Sequence, residues 1–336
     1  MKAWVATGAA LLLAGAAVAI LLVDPHLWRS GADEPTLTTV RVVDRDSAKD
    51  PPRHQRTRAR GESQFAVKPA SGRLPVDIRF APGKEPRAGM LFDVDTGRVL
   101  WQHDPGRRLP IASLTKMMTA LIVAKRHKPD EPVLITRQAL AYEGSGVGVL
   151  PKGKRVPLDD LFYGLLLVSG NDAAIALAQH DARTVGAFVR RMNRWRHRMD
   201  LRCTHFSSPS GILDQRNWSC PRDLATLARA DLADPWIRKV VGTREARFRF
   251  PIKGNYLDLF NNNPFIIQGV KGITGLKTGY TDAAGRCYVT TQKVDGHELG
   301  VVLLNTPNPL DQVPALLHAG ARAVASSGDQ GVKSDE

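Results

Sequence analysis

The sequence contains few cysteines and few aromatic residues. Three of its 336 residues are cysteine, and none lies at the C-x-x-C spacing that is typical of zinc or redox sites. Phe, Trp and Tyr together make up 6% of the chain, and they are not interleaved with basic residues as in many nucleic-acid-binding surfaces. We therefore expect no metal, no other cofactor and no nucleic-acid partner, although the formal net charge is +14.

The pairing of the three cysteines is open from the sequence alone. Cys203 and Cys220 would form a disulfide if the domain lies outside the cytoplasm, and two reduced, buried thiols are the alternative. Cys287 lies within a predicted strand, where we expect a small core residue.

Charge is absent from Ala3 to Val23, a run of apolar and small residues. The run is long enough to cross a bilayer and exceeds the apolar part of a cleaved signal peptide. We predict an N-terminal membrane anchor over residues 1–23 and an extracytoplasmic location for the remainder. Cleavage after Ala19, which would release the chain, is the alternative.

Large apolar residues are scarce from 24 to 75, where Arg, Asp, Pro, Ser and Thr dominate. A segment of this composition buries too little apolar surface to form a core of its own. We predict a disordered spacer over residues 24–75, a folded catalytic domain over residues 76–326 and a disordered polar tail over residues 327–336.

Strand-like segments occur at both ends of the folded part. "RAGMLFDVDTGRVLWQHD" predicts a hairpin that turns at Asp95-Thr96-Gly97. "GITGLKTGY", "RCYVTTQKV" and "ELGVVLLN" predict three more strands, the last two joined at Asp295-Gly296, before an amphipathic helix near 312–325. Residues 112–234 are predicted to be mostly helical. The pattern predicts an α/β (α+β) fold with one sheet assembled from distant segments.

The segment "IASLTKMMTA" places a serine and a lysine three residues apart at the start of an apolar run. Pro110 favours a helix start here, and residues three apart share a helix face, so Lys116 Nζ can reach Ser113 Oγ. The following residues are apolar nearly all round, which predicts that Lys116 is buried. Burial disfavours the ammonium form, so this lysine can act as a base towards the serine hydroxyl.

Two further polar motifs interrupt apolar segments. Ser169-Gly170-Asn171 lies in a predicted turn between buried helices, where it can relay a proton and hold a substrate amide; a helix N-cap is the alternative. Lys277-Thr278-Gly279 lies in a predicted strand, where it can bind a carboxylate. Chance would place the three motifs in this order about 0.003 times in such a chain.

In this order SLTK, SGN and KTG resemble the motifs of the penicillin-recognising serine D,D-peptidases, specifically the low-molecular-mass D-alanyl-D-alanine carboxypeptidases. The resemblance covers about residues 87–305 and includes "THFSSPSGILD" and "GLKTGYTDAAGRC". It implies a β-lactamase/D,D-peptidase-like fold, with an antiparallel five-stranded sheet built from both ends of the domain and a mostly helical middle region. Asp200 stands where the family often has glycine, which Asp can replace in a left-handed conformation.

The resemblance also implies roles for the first two motifs. Ser113 is implied to be the acylated nucleophile and Lys116 its general base. Ser169 is implied to bridge Lys116 to the leaving amine, and Asn171 to bind the side of the substrate's peptide. We further expect Asn261 to Asn263 to form a turn-rich loop near this site.

The third motif is implied to hold the end of the substrate. Lys277 and Thr278 are implied to bind the terminal carboxylate of D-Ala-D-Ala, with Gly279 giving it room. The backbone N–H groups of Ser113 and Tyr280 are implied to form the oxyanion hole. The implied partners are peptidoglycan stem peptides ending in D-Ala-D-Ala and, as inhibitors, β-lactams; we expect a monomer.

Three other functions use this fold or these motifs. A class A β-lactamase needs a glutamate that activates the deacylating water, but no glutamate lies between Glu143 and Glu245. A D,D-endopeptidase that cleaves peptide cross-links would differ in pocket shape, and this alternative stays open. A non-catalytic wall-binding protein is disfavoured because the polar groups most needed for acylation are all present.

The segment "FVRRMNRWRHRMDLR" predicts a helix with one strongly basic face. We interpret this face as attracted to anionic lipids or wall polymers. The residues predicted to point inward are Phe188, Val189, Met192, Trp195 and Met199, and those predicted to point outward are Arg190, Arg191, Arg194 and Arg198.

Overall fold

The computed structural model describes residues 37–42, 64–212 and 216–328. In these ranges the helices are α1 (Thr115–Arg126), α2 (Arg137–Leu140), α3 (Leu158–Leu166), α4 (Asn171–Ala182), α5 (Val185–Arg198), α6 (Pro221–Leu232), α7 (Pro235–Val241), α8 (Pro264–Ile267) and α9 (Pro309–Gly328). The strands are β1 (Leu37–Val42), β2 (Val76–Phe80), β3 (Ala88–Asp93), β4 (Val99–His103), β5 (Leu109–Pro110), β6 (Pro132–Leu134), β7 (Arg155–Pro157), β8 (Trp218–Ser219), β9 (Glu245–Arg249), β10 (Tyr256–Phe260), β11 (Ile273–Thr281), β12 (Gly285–Val294) and β13 (His297–Leu304).

The main sheet has five antiparallel strands in the order β11-β12-β13-β3-β4. The prediction of a five-stranded sheet assembled from both ends of the domain is confirmed. Both predicted turns are present: Gly97 has φ +76°, and Asp295 and Gly296 have φ +48° and +79°. Two successive positive φ values match the right-handed twist of the strands that such a turn joins.

Helices cover the sheet on both faces, so the central strands β13 and β3 are buried almost throughout, without alternation. All six residues of β3 are buried. A Cβ on Gly320 of α9 would lie 3.0 Å from Leu299 and 3.1 Å from Leu91, so α9 lies close to one face. Neighbouring Met90 and Phe92 point to the other face, where they join the core that α6 also enters.

The helical part of the domain surrounds α1. This helix contacts α3, α4, α5, α6 and α7, and its residues from Thr115 to Val123 are all buried. A helix that is apolar nearly all round needs packing neighbours on every side to be stable in water. The burial that the sequence predicts for this helix is confirmed. Because α1 is fixed from all directions, the residues at its start have a rigid support.

The predicted spacer over residues 24–75 is not disordered throughout. β1 pairs with β2 in antiparallel register, and Val67 is buried with its N–H donating to Thr226 Oγ1 at 3.1 Å. Gln102 both donates to and accepts from the backbone of Ala70. The composition of this segment does not allow it to form a core of its own. Its strand instead pairs with β2, and Val67 packs into the core of the following domain. The folded part therefore begins before residue 76.

Other predictions about the chain ends have mixed outcomes. α9 continues to Gly328, two residues into the predicted tail. The anchor predicted over residues 1–23 lies outside the described residues. In the part of the chain that the structure describes, no helix is both long and apolar enough to cross a membrane.

The structure answers two questions: which cysteines pair, and which arginines of α5 are exposed. Cys203 and Cys220 form a disulfide, and Cys287 is a buried free thiol in β12. Asp200 is left-handed, with φ +57°, which is the conformation that allows Asp to replace glycine at this position. In α5 the exposed face carries arginine, but Arg191 is half-buried against Asp181, so its predicted outward position is wrong. An arginine can place its charge against a buried carboxylate while its stem packs on the domain.

Candidate active site

Ser113 lies in a strained turn directly before α1. Residues Ala112–Leu114 form a single turn of 3-10 helix, and Ala112 has φ +47°, a conformation that costs energy for a residue with a Cβ. Gly211 supports the turn from outside, since a Cβ there would lie 1.9 Å from the Ala112 carbonyl oxygen. Gly211 also has φ +83°. The loop around Gly211 therefore holds the serine in place by direct backbone contact.

Lys116 lies beneath this serine and is completely buried. Its Nζ is 3.0 Å from Ser113 Oγ, and it donates to Asn171 Oδ1 at 2.7 Å and to the Ser210 carbonyl oxygen at 2.9 Å. The predicted proximity of Lys116 to Ser113 is thus confirmed. Among the residues that the structure describes, the amine has three hydrogen-bonding neighbours, and the Asn171 and Ser210 oxygens can only accept.

Electrostatics favour the neutral form of Lys116. Burial lowers the pKa of its amine well below the ordinary value, and the positive charge of Lys277 lowers the pKa further. The carboxyl of Asp172 opposes these two effects. Since desolvation is the largest cause, the base depends on exclusion of water from this cleft.

The second motif lies at the start of α4, and the N-cap interpretation of it is wrong. The N-cap residue of α4 is Gly170, and no side chain makes a capping hydrogen bond at this helix end. Asn171 instead accepts from Lys116 and donates through Nδ2 to the Glu143 carbonyl oxygen at 2.6 Å. Asp172 accepts from the N–H groups of Val147 and Gly148 at 2.9 Å each. Both side chains thereby fix the loop that follows α2.

Ser169 is a buried serine in a left-handed backbone conformation. It is buried, it has φ +61°, and its Oγ has no hydrogen-bond partner among the described residues. Buried hydroxyl groups nearly always have a partner. The role implied for Ser169, a bridge from Lys116 to the leaving amine, stays a prediction.

The third motif lies on the edge strand β11, facing the nucleophile. Lys277 is buried and donates to the Thr278 carbonyl oxygen at 2.9 Å. Burial lowers the pKa of its amine to about 7. Thr278 Oγ1 donates to Asn262 Oδ1 at 3.2 Å, which confirms that the predicted asparagine loop lies near the site.

The absence of a side chain at Gly279 allows β11 to approach the backbone of the turn that carries Ser113. A Cβ at this position would lie 3.0 Å from Ser113 N and 3.2 Å from the Ile111 carbonyl oxygen. β11 therefore packs directly on the nucleophile turn, and Tyr280 is the next residue along the strand. The implied contribution of the Ser113 and Tyr280 N–H groups to an oxyanion hole, and of Gly279 to carboxylate binding, stay predictions.

Sequence reasoning missed several groups around the lysine. The Ser210 carbonyl oxygen and the Glu143 carbonyl oxygen are backbone groups, which carry no sequence signal. Asp172 directly follows the second motif in "SGND", and its position in the first turn of a buried helix was an available signal.

A serine and a buried lysine one helical turn apart, opposite a lysine and threonine on a sheet edge, define the class of the penicillin-recognising serine D,D-peptidases. A family model described as D-alanyl-D-alanine carboxypeptidase, peptidase family S11, matches residues 80–308. This chain belongs to that family.

Known proteins similar to the chain agree with this assignment. D-alanyl-D-alanine carboxypeptidase DacF of Bacillus subtilis is 29% identical over 233 residues, which cover 68% of this chain and 59% of DacF. A D-alanyl-D-alanine endopeptidase of Pseudomonas aeruginosa is 31% identical, with 71% and 76% covered. A crystal structure of a D-alanyl-D-alanine carboxypeptidase from Mycobacterium tuberculosis has a TM-score of 0.66 at 28% identity, covering 71% of this chain and 92% of that one. The chain spans about three-fifths of the length of DacF.

Proposed function

We propose that this protein is a serine-type D-alanyl-D-alanine carboxypeptidase that removes the terminal D-Ala from peptidoglycan stem peptides. One observation carries the proposal. A neutral lysine amine has two N–H donors and one lone pair, and the Asn171 and Ser210 oxygens can only accept. When they take the two N–H bonds, the lone pair faces Ser113 Oγ at 3.0 Å.

Acylation follows from this arrangement. Ser113 Oγ attacks the carbonyl carbon of the penultimate D-Ala while its proton moves to Lys116 Nζ. The C–N bond to the terminal D-Ala then breaks, and the leaving amine receives a proton through the Ser169 hydroxyl. Free D-Ala departs, and the peptide remains as an ester on Ser113. Water then attacks this ester, releasing the shortened peptide and restoring the serine.

Charge on Lys277 should control binding of the substrate's carboxylate. Because the pKa of Lys277 is about 7, the free enzyme loses this positive charge as the pH rises through neutrality. We expect kcat/KM for a peptide with a free terminal carboxylate to fall above about pH 7, approaching tenfold per pH unit, since kcat/KM reports groups of the free enzyme. The pH profile of D-alanine release measures this.

The matched variant is Lys277→Arg, whose guanidinium stays charged over this range. Its profile should lack the alkaline fall, even if its absolute rate is lower. A wild-type kcat/KM that stays level between pH 7 and pH 9 would contradict the assignment of the carboxylate to Lys277.

Substrate choice tests the proposed activity directly. The full chain in detergent is incubated with diacetyl-L-lysyl-D-Ala-D-Ala and, separately, with a cross-linked muropeptide dimer, and the products are identified by mass spectrometry. We expect D-alanine release from the first substrate to dominate. Preferential cleavage of the dimer would instead indicate the endopeptidase, whose name the P. aeruginosa relative carries.

Penicillin distinguishes the peptidase from a β-lactamase. We expect a persistent penicilloyl group on Ser113, located by mass spectrometry of proteolytic fragments. No glutamate lies between Glu143 and Glu245 to activate a deacylating water. Rapid turnover of penicillin without accumulation of the acyl-enzyme would overturn this expectation.

We further propose that Ala3 to Val23 anchors the protein to the plasma membrane, with the folded part outside the cytoplasm. The disulfide between Cys203 and Cys220 supports this, because disulfides persist mainly in oxidising compartments. Membrane fractionation should recover the full chain with the membrane and a chain lacking residues 1–23 in the soluble fraction. Recovery of both in the same fraction would exclude the anchor.

A further inference from the structure

Two histidines and a glutamate lie together at the C-terminal ends of α1 and α4, whereas the serine turn lies at the N-terminal end of α1. His127 follows the last residue of α1, Glu131 lies in the next loop, and His180 is in the last turn of α4. Glu131 Oε2 is 2.8 Å from both His127 Nδ1 and His180 Nε2. The other oxygen, Oε1, accepts from the Lys128 N–H at 2.7 Å. One carboxylate oxygen is therefore fixed by the backbone, and the other faces two imidazoles.

A second carboxylate orients the first histidine. His127 Nε2 is 3.0 Å from Asp181 Oδ1. The Asp181 side chain is fully buried and also pairs with Arg126, at 2.6 Å, and with Arg191. A carboxylate behind a histidine is the usual outer partner of a metal-binding imidazole, because it fixes the ring and its tautomer.

Both ring nitrogens of His127 face carboxylate oxygens, Glu131 Oε2 at Nδ1 and Asp181 Oδ1 at Nε2. A metal ion on Nδ1 would leave the N–H of a neutral ring on Nε2, directed at Asp181, which can only accept. The second carboxylate is thus placed to hold the ring in the orientation that metal binding needs.

We propose that His127 Nδ1, His180 Nε2 and Glu131 Oε2 bind one zinc ion. Two imidazoles and one carboxylate suit zinc, whereas Mg²⁺ and Ca²⁺ prefer oxygen ligands. The donor atoms lie within 4.8 Å of one another. Bond lengths near 2.0–2.1 Å place the donors of a tetrahedral ion about 3.3 Å apart, so the pairs at 2.8 Å must open by roughly half an ångström.

Partial exposure allows both this opening and a fourth ligand. The side chains of His127, His180 and Glu131 are 13%, 20% and 31% exposed. Water can therefore occupy the remaining position of a tetrahedral ion.

The position of the site indicates what the ion does. α1 and α4 are in contact, and each has an active-site residue at its beginning, Lys116 and Asn171 respectively. Each also has one of the histidines at its far end. The ion joins those far ends and stabilises the pair of helices that holds the base. This inference does not depend on the proposed peptidase activity.

Metal titration tests the site. The full chain in detergent is freed of metal with a chelator and titrated with zinc by calorimetry and with cobalt by visible spectroscopy. We expect one ion per chain, tetrahedral cobalt bands, and a rise in Tm of about 5–10 °C at a hundredfold excess of zinc over Kd. His180→Gln should weaken binding at least about a hundredfold, and Asp181→Asn about 10–100-fold.

Controls separate this site from other histidines and from misfolding. His197→Gln, in the exposed last turn of α5, should bind zinc like the wild type. Far-UV circular dichroism in chelator shows whether His180→Gln is folded, and penicillin labelling of that variant should match the metal-free wild type. Absence of stoichiometric zinc binding, or equal affinity in the His127→Gln/His180→Gln double variant, would overturn the proposal.

Discussion

Replacement of Ser113 by alanine should abolish both D-alanine release and covalent labelling by penicillin. Removal of the nucleophile takes away the atom that forms the ester, so kcat/KM should fall by about 10⁴-fold or more. The serine is in a 3-10 turn that is held by backbone contacts from Gly211 and Gly279. The variant should therefore fold normally, with an unchanged thermal midpoint.

The measurement combines D-alanine release with fluorescent-penicillin labelling on the same preparations. Ser326→Ala serves as the matched control, because this exposed serine of α9 donates to the Ala323 carbonyl oxygen in its own helix and lies far along the chain from all three motifs. The control should keep full activity. Release of D-alanine by Ser113→Ala at the wild-type rate would remove the enzymatic proposal.

Substitution of Lys116 by methionine should slow acylation by about 10²–10⁴-fold, the usual contribution of a general base. Methionine fills much of the same space but has no amine. It also leaves the Asn171 and Ser210 oxygens without their donor, so the free energy of unfolding should fall by about 1–3 kcal/mol for each unsatisfied acceptor. Stopped-flow acylation by penicillin and urea unfolding measure the two effects separately.

The pH dependence provides a further test of this lysine. Since burial lowers the pKa of Lys116, the base is protonated and inactive on the acid side, and wild-type acylation should rise with pH there. Lys116→Arg keeps a charge but cannot serve as a base near neutral pH, so it should be slow at every pH. Acylation of Lys116→Met at the wild-type rate would mean that another group activates Ser113.

Much of the fold could be predicted because its signals are local. Gly97 and Asp295-Gly296 fix tight turns through their own backbone preferences. The burial of Lys116 follows from apolar neighbours on all sides of one short helix. Each of these depends on residues adjacent in the chain.

The predictions that were wrong or left open depend on contacts between distant segments. β1 forms because β2 offers it an edge, a property of the domain that the composition of residues 24–75 does not contain. Asn171 faces Lys116 because α4 packs on α1. The same packing of α4 on α1 brings His127 and His180 together in the proposed zinc site. Because the two histidines are far apart in the sequence, no local pattern predicts this site.

The tight contact at Gly279 has a consequence for the length of substrate that the site can accept. The backbone of the strand lies directly against the serine turn, without an intervening side chain. Lys277 lies two residues earlier, about 7 Å along the strand at about 3.3 Å per residue. A ligand that contacts both the serine and this lysine must therefore span the separation that the backbone of β11 sets. Any side chain at Gly279 would push the strand away from the serine turn and change that separation.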